Sequence, residues 1–430
     1  MTLILDSTAP DFPQAFEALL GSKRESSPEV DRQVADILKD VKARGDAALL
    51  ELTERFDRMT LSPEALRITS AEIDDALAAT PGDVRDALGF AHERISSHHR
   101  KQLPEDHRYT DALGVTLGMR WTPVDSVGLY VPGGLASYPS SVLMNAVPAR
   151  VAGVDRLAMV VPTPEGRINP AILAAASIAG VDEIYRVGGA QAIAALAYGT
   201  ATISPVAKIV GPGNAYVATA KKQVFGTVGI DMIAGPSEVL IIADETADAR
   251  WVAADLLAQA EHGAGAQSIL VTTSAELARA VPGEVERQLQ ALRSPDTARE
   301  GWESLGAIIT VPGLEEAVGL ANRIASEHVE LMVAEPEALS PRIRHAGAIF
   351  IGHHTPEAIG DYVGGSNHVL PTARSARFAS GLGVLDFMKR TSILSCTPEA
   401  LGALADAAVT LAETENLEAH GRSVSIRRNG

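Results

Sequence analysis

Residues 207–222 read AKIVGPGNAYVATAKK: a short apolar run, a glycine-rich turn, then an alanine-rich stretch of helix length. An apolar run of strand length that stops at such a turn and gives way to a helical pattern is one βα unit of a parallel sheet. The same device occurs upstream at YVPGG (130–134) and VGGAQA (187–192). Working outward, LAMVV (157–161) and EIYRV (183–187) read as further buried strands, each with a helix after it, PAILAAASIAG or AQAIAALAYG. A second series follows, with EVLIIAD (238–244), SILVTT (268–273), AIITV (307–311), ELMVA (330–334) and AIFIG (348–352) as strands and amphipathic helices between them. Two successive runs of such units, with right-handed crossovers, imply an α/β fold with two doubly wound, incomplete Rossmann-like parallel sheets.

The flanks differ in texture. The first hundred residues are helical by pattern, with Val30, Val34, Ile37, Leu38 and Val41 at helical spacing and charge on the opposite face. LGVTLGMRWTPV alternates like a strand, and the change at SVGLYVPGG (126–134) marks a domain boundary. Beyond about residue 380 the βα pattern breaks into GLGVLDFMKRTS and one helix, PEALGALADAAVTLAETENL, which buries little alone and is expected to dock elsewhere. The expected division is an N-terminal helical arm (1–25), a larger α/β domain (26–129 plus 238–380), a Rossmann-like domain (130–237) and a C-terminal helical tail (381–430).

With 430 residues, 46% of them hydrophobic, the chain can bury a sizeable core and form two or three domains. A formal charge of -17 supplies no basic stripe for nucleic acid or anionic membrane. The one cysteine, Cys396, excludes an internal disulfide framework and a thiolate-rich metal site, so any metal must use N and O ligands; Cys396 itself reads as a core or surface thiol. The N-terminus lacks the basic lead and long apolar run of a signal peptide, and no apolar stretch reaches membrane-spanning length, which suits a cytoplasmic protein.

In the three glycine-rich turns, glycine lets backbone approach a ligand, and the helix start behind it favours anionic groups. None completes the dinucleotide fingerprint G-x-G-x-x-G with its downstream acid, so any one alone reads as a tight connection; clustered in one subdomain, they point to a nucleotide site. AQAEHGAG (258–265) puts Gln259 and His262 three apart at a helix end beside Gly263, where both side chains reach one point. Taken alone this is a polar helix end with a C-capping glycine. GDYVGGSNHVLPT carries Asp361 and His368 in a loop after a strand, at the carboxyl end where functional loops gather, and ENLEAHGR carries Glu415 and His420 in the tail. An amide oxygen, imidazoles and a carboxylate would suit zinc, although the spacing is scattered. ASEHVEL sets Glu327 beside His328 where a helix gives way to a strand, offering a general base and a second group to activate water, or simply an exposed pair at a helix end. His98, His99, His353 and His354 carry no interpretable spacing and read as surface or structural.

Assembled, GLYVPGG, VGGAQAIAALAYGT, KIVGPGNAYVATAKK, DMIAGPSEVLIIAD, DLLAQAEHG, IASEHVEL, DYVGGSNHVLPT and LEAHGRSVSIR, in that order, resemble the histidinol dehydrogenase family from about residue 25 to the C-terminus. The resemblance implies a zinc-dependent oxidation of L-histidinol to L-histidine through the aldehyde, with two NAD reduced. It implies zinc held by Gln259, His262, Asp361 and His420, and substrate contacts from these and from Ser237, His328 and Glu415. Tyr130, Gln191 and Asn214, one in each glycine-rich turn, would bind NAD. His328 would be the base and Glu327 the activator of water. A homodimer is also implied, the tail lending Glu415 and His420 to the other subunit. Two other readings stay open from the residues alone: a zinc hydrolase or lyase whose glycine-rich turns are only structural, and a nucleotide-binding regulatory module, which would have no need of the Glu327–His328 pair.

Overall fold

The computed structural model describes residues 2–21, 28–133, 138–233 and 235–428. Along the chain come β1 (Leu3–Asp6), α1 (Phe12–Gly21), α2 (Pro28–Arg44), α3 (Asp46–Asp57), α4 (Ser70–Ala79), α5 (Gly82–Arg100), β2 (His107–Thr110) and β3 (Thr116–Pro123). The first βα series is β4 (Ser126–Tyr130), α6 (Pro139–Ala152), β5 (Arg156–Val160), α7 (Pro170–Ile178), β6 (Glu183–Tyr185), α8 (Gly189–Tyr198), β7 (Lys208–Val210), α9 (Ala215–Val224) and β8 (Gly229–Ile230). The second is β9 (Glu238–Ala243), α10 (Ala249–Ala260), β10 (Gln267–Thr272), α11 (Ala275–Leu289), α12 (Pro295–Leu305), β11 (Ala307–Thr310), α13 (Leu314–Ile324), β12 (His328–Met332), α14 (Pro336–Leu339), β13 (Ala348–Ile351) and α15 (Glu357–Tyr362). The tail holds β14 (Met388–Ser395), α16 (Pro398–Thr414) and α17 (Glu418–Ser425).

Both expected parallel sheets are present, and they share one winding order. The five-stranded sheet runs β6-β5-β4-β7-β8; the six-stranded sheet runs β11-β10-β9-β12-β13, with β1 added beside β11. In each, the first strand of its series lies in the middle and the direction of winding reverses beside it, between β4 and β7 or between β9 and β12. At that reversal the flanking loops separate and leave a crevice beyond the carboxyl ends. In the second sheet the Asp244 carboxylate bridges those loops, accepting from the N–H groups of Thr246 (2.9 Å) and Ala334 (2.8 Å). In the first the crevice is open.

The arm contributes a strand as well as its helix. Leu3 to Asp6 pair with Ala307 to Thr310, and α1 buries Phe12 and Phe16 in the core of the six-stranded sheet. The tail likewise contributes β14, which joins β3 and β2 in a separate antiparallel sheet.

Helices α2 to α5 lie in the stretch (26–129) expected in the larger domain, and their apolar faces pack on the five-stranded sheet. Val34, Leu38, Val41, Leu49 and Leu52 of α2 and α3 pack with Val160, Tyr185 and the buried face of α8, while Leu88, Ala91 and Ile95 of α5 join α6 and α7. These helices cover the five-stranded sheet. Amphipathic spacing shows that a helix buries one face; it carries no information on which sheet receives that face. Among the described residues, no helix is long and apolar enough to cross a membrane.

Candidate active site

The open crevice of the five-stranded sheet is a cavity of about 840 Å³ lined by Tyr130, Gln191 and Asn214, so the three candidate NAD residues share one space. The turns meet there because their glycines permit it. A Cβ on Gly133 would lie 2.6 Å from the Pro162 carbonyl, and one on Gly188 would lie 2.4 Å from the Pro162 side chain. Gly211 has φ +112, and a Cβ would lie 2.2 Å from the Tyr130 carbonyl. The peptide of Gly211 is held at both ends: its N–H donates to Asp231 (2.8 Å), and its carbonyl accepts from Lys221 (2.9 Å), which is itself ion-paired with Asp231. Asn214 caps α9 by accepting from the N–H groups of Tyr216 and Val217 at 3.1 Å. The buried Tyr130 hydroxyl accepts from Gly189 N–H at 3.1 Å, and burial pushes its pKa up to about 12.

A second, polar cluster gathers the ionisable candidates around His328. Glu327 and His328 lie at the start of β12, Ser237 and Glu238 at the start of β9, and Gln259 and His262 at the end of α10. This corrects the expectation of a site at carboxyl ends. The chain leaves β13 at its carboxyl end, but α15 carries it back, bringing Asp361 to 3.8 Å from His328 Nε2. The helix end of α10 is closed by Gly263 at φ +96, and Gly301 of α12 fits under it so closely that a Cβ would lie 2.4 Å from the Ala260 carbonyl.

His328 is 5% exposed. Its Nδ1 lies 3.0 Å from the Glu238 carbonyl, which can only accept, so Nδ1 carries the proton and Nε2 presents a lone pair. That Nε2 is buried without a hydrogen-bond partner. Burial lowers the pKa of His328 to about 4, which keeps the ring neutral. Glu327, also buried, accepts from Glu238 N–H at 2.9 Å and from the Ser237 hydroxyl; burial first, then the charges of Glu238 and Asp361, raises its pKa well above the carboxylate range. Burial raises Asp361 to about 6. His262 is exposed at the rim, yet the neighbouring walls desolvate it enough to lower its pKa. Gln259 is 1% exposed, and its Nε2 has no partner.

Other residues of the cluster carried weak sequence signals or none. His368 lies within the charge field of His328, donates from Nδ1 to the Asp361 carbonyl (3.0 Å) and accepts from Ser141 (3.2 Å); burial lowers its pKa to about 4. Glu357 lies 3.5 Å from His328 Nδ1 and is backed by Glu330, whose carboxylate accepts from Glu357 N–H at 2.7 Å. A buried Glu reads from sequence like any strand or helix Glu; only the apolar residues beside Glu330 hinted at it.

Glu415 and His420 do not join the cluster within one chain. Both are exposed on the tail, whose helices α16 and α17 pack on each other. Correspondingly, among the described residues no three His, Cys, Asp or Glu side chains are arranged to hold a metal ion. Cys396 is exposed, and His99 is a fully buried structural residue whose Nδ1 donates to the Ile95 carbonyl.

The sequence profile described as histidinol dehydrogenase matches residues 21–428. Histidinol dehydrogenases of Nitrobacter winogradskyi and Rhodopseudomonas palustris are 65% and 62% identical over 429 residues, covering all of both chains in each case. A crystal structure of histidinol dehydrogenase from Elizabethkingia anophelis is similar at TM-score 0.94 and 35% identity, covering 99% of this chain and 98% of that one. With a profile match over nearly its whole length and relatives this alike from end to end, the chain belongs to the histidinol dehydrogenase family of oxidoreductases.

Proposed function

We propose that the protein oxidises L-histidinol to L-histidine through L-histidinaldehyde, with two NAD and one zinc ion per site, in a homodimer. The observation that carries this reading is His328: a buried, neutral imidazole whose proton is fixed on Nδ1, 3.8 Å from a second buried acid-base group, Glu327, and whose Nε2 is left without a hydrogen-bond partner. A regulatory nucleotide-binding module would have no use for that arrangement.

Gln259, His262 and Asp361 fit a zinc site. They offer one amide oxygen, one imidazole nitrogen and one carboxylate oxygen, and the burial that raises Asp361 is a cost a divalent cation would offset. His420 of a second copy would complete the set, which accounts for a tail that presents it outward. Zinc, when bound, orients the imidazole and amine of the substrate. NAD in the 840 Å³ cavity supplies the hydride acceptor. The chain's own part follows from its geometry. His328 Nε2 takes the hydroxyl proton of the carbinol as hydride leaves its carbon. Glu327, whose raised pKa makes it a stronger base than an exposed carboxylate, takes a proton from the water that hydrates the aldehyde. His328 then serves the hydrate as it served the alcohol. Ser237, through its hydroxyl on Glu327, and Glu238, through its carbonyl on His328, hold both groups in place.

The test is purified protein with zinc, L-histidinol and NAD: two reduced nicotinamides should form per histidine, with loss on chelation and recovery on adding zinc. No reduction above a substrate-free control, at confirmed metal content, would refute the reading. His328→Ala should lower kcat by roughly 10²–10⁴-fold, the span of a lost general base, with circular dichroism unchanged.

A further inference from the structure

The five-stranded sheet winds like a dinucleotide-binding fold: β4 is the central first strand and β5 the second, beside it. In that winding the acid that reads the adenosine ribose stands at the carboxyl end of the second strand. Here that end reads Val160, Val161, Pro162, Thr163 and holds no acid. The nearest acid downstream, Glu165, is exposed and ion-paired with Arg167 at 2.9 Å, and it does not line the cavity.

The position is filled from another part of the chain. Asp57, the last residue of α3, accepts a hydrogen bond from the backbone N–H of Thr163 and lines the cavity together with Tyr130, Gly189 and Asn214. Its side chain belongs to a residue 8% exposed, and its Oδ2 has no hydrogen-bond partner. A buried carboxylate oxygen without a donor is unfavourable, and a ligand hydroxyl would satisfy it. Asp36 lines the same cavity, so the wall contributed by α2 and α3 is doubly acidic. Arg55, the cation of that wall, has its guanidinium over the Phe56 ring at 5.2 Å.

We propose that Asp57 is the ribose-reading acid of this site, accepting from the hydroxyls of the adenosine ribose and rejecting a dinucleotide that carries a 2′-phosphate. The inference rests on the NAD reading above. It makes the N-terminal helical segment part of the cofactor site and gives it a role in selecting NAD over NADP. A hydroxyl donating to a carboxylate is a charge-assisted bond, whereas a phosphate in its place meets two acids.

The test is titration calorimetry of the zinc-loaded protein with NAD, NADP and 2′-deoxy-NAD, repeated on Asp57→Asn, which keeps the size of the side chain and an acceptor for Thr163. Wild type should bind NAD at least about ten-fold tighter than either analogue. Asp57→Asn should bind NAD about ten-fold more weakly, and its NAD-to-NADP preference should shrink by a similar factor. Equal affinity of wild type for NAD and 2′-deoxy-NAD, or an unchanged preference in a folded Asp57→Asn, overturns the role of Asp57 and leaves the functional reading standing. Wild type that binds none of the three overturns both. The deoxy arm needs no substitution, so it decides the matter even if the variant fails to fold.

Discussion

Around His328 the buried groups titrate in opposite directions. His328 and His368 have pKa values near 4 in the fold, below the 6.5 of a free imidazole. The unfolded chain therefore binds more protons between those values, and stability is lost as pH falls through that window. Glu327 and Glu357 are raised by burial, so their share is present at low pH and lost as pH rises above the ordinary carboxylate range. In metal-free protein, His368→Gln should flatten the acid-side fall in melting stability between pH 6.5 and 4 by up to about 3 kcal/mol, as followed by thermal melts; an unchanged fall would contradict a buried neutral His368. Lys221→Met, which strands Asp231 under the Gly211 turn, should cost roughly 3–5 kcal/mol in denaturant unfolding, and adding Asp231→Leu should restore much of it. Single residues were legible in proportion to their local signals. Gln259 and His262 announce themselves by helical spacing beside a glycine, while Asp57 sits in an ordinary amphipathic helix and gains its meaning only where α3 meets Thr163.

At the scale of elements, the glycine-rich turns were readable because strand, turn and helix are contiguous, and all three meet in one cavity. The polar cluster was less so, since its parts come from the ends of α10, α15, β9 and β12 and meet only through the return path of α15. Both sheets wind alike; in the second Asp244 ties the loops together through Thr246 and Ala334, while the first keeps an open crevice. The start of α9 combines a helix cap with the NAD contact proposed for Asn214, and substitution can separate the two. Asn214→Ala should cost about 1 kcal/mol of stability through loss of the cap and also weaken NAD binding. Asn214→Asp should keep the cap and the stability but place a negative charge beside the dinucleotide, lowering NAD affinity by about ten-fold; equal affinity for NAD in all three proteins would remove Asn214 from the site.

For the molecule as a whole, the tail and the small antiparallel sheet leave Tyr109, Leu394, Leu411, Leu417 and Ile426 exposed. Such apolar surface beside Glu415 and His420 suits a second copy that covers it and receives those side chains. Leu394→Asp with Leu411→Asp should shift the protein to monomer in sedimentation and lose zinc with it. Mixing inactive His328→Ala and His420→Ala subunits should restore up to about a quarter of wild-type activity, since one heterodimer site in two is intact; zero recovery in confirmed heterodimers would count against shared sites. The tail's lack of a core suggests that it docks, but the expected destination, a second copy, comes only from family resemblance, as spacing within one chain says nothing of a neighbour. The pairing of β1 with β11 bears on how the protein is made. Leu3 finds Ala307 only after some 300 further residues have been translated. At ~5–20 residues per second the wait is roughly 15–60 s, during which the nascent segment LILD trails beside the ribosome with its backbone unmatched, so closing this sheet edge is among the last events of biogenesis.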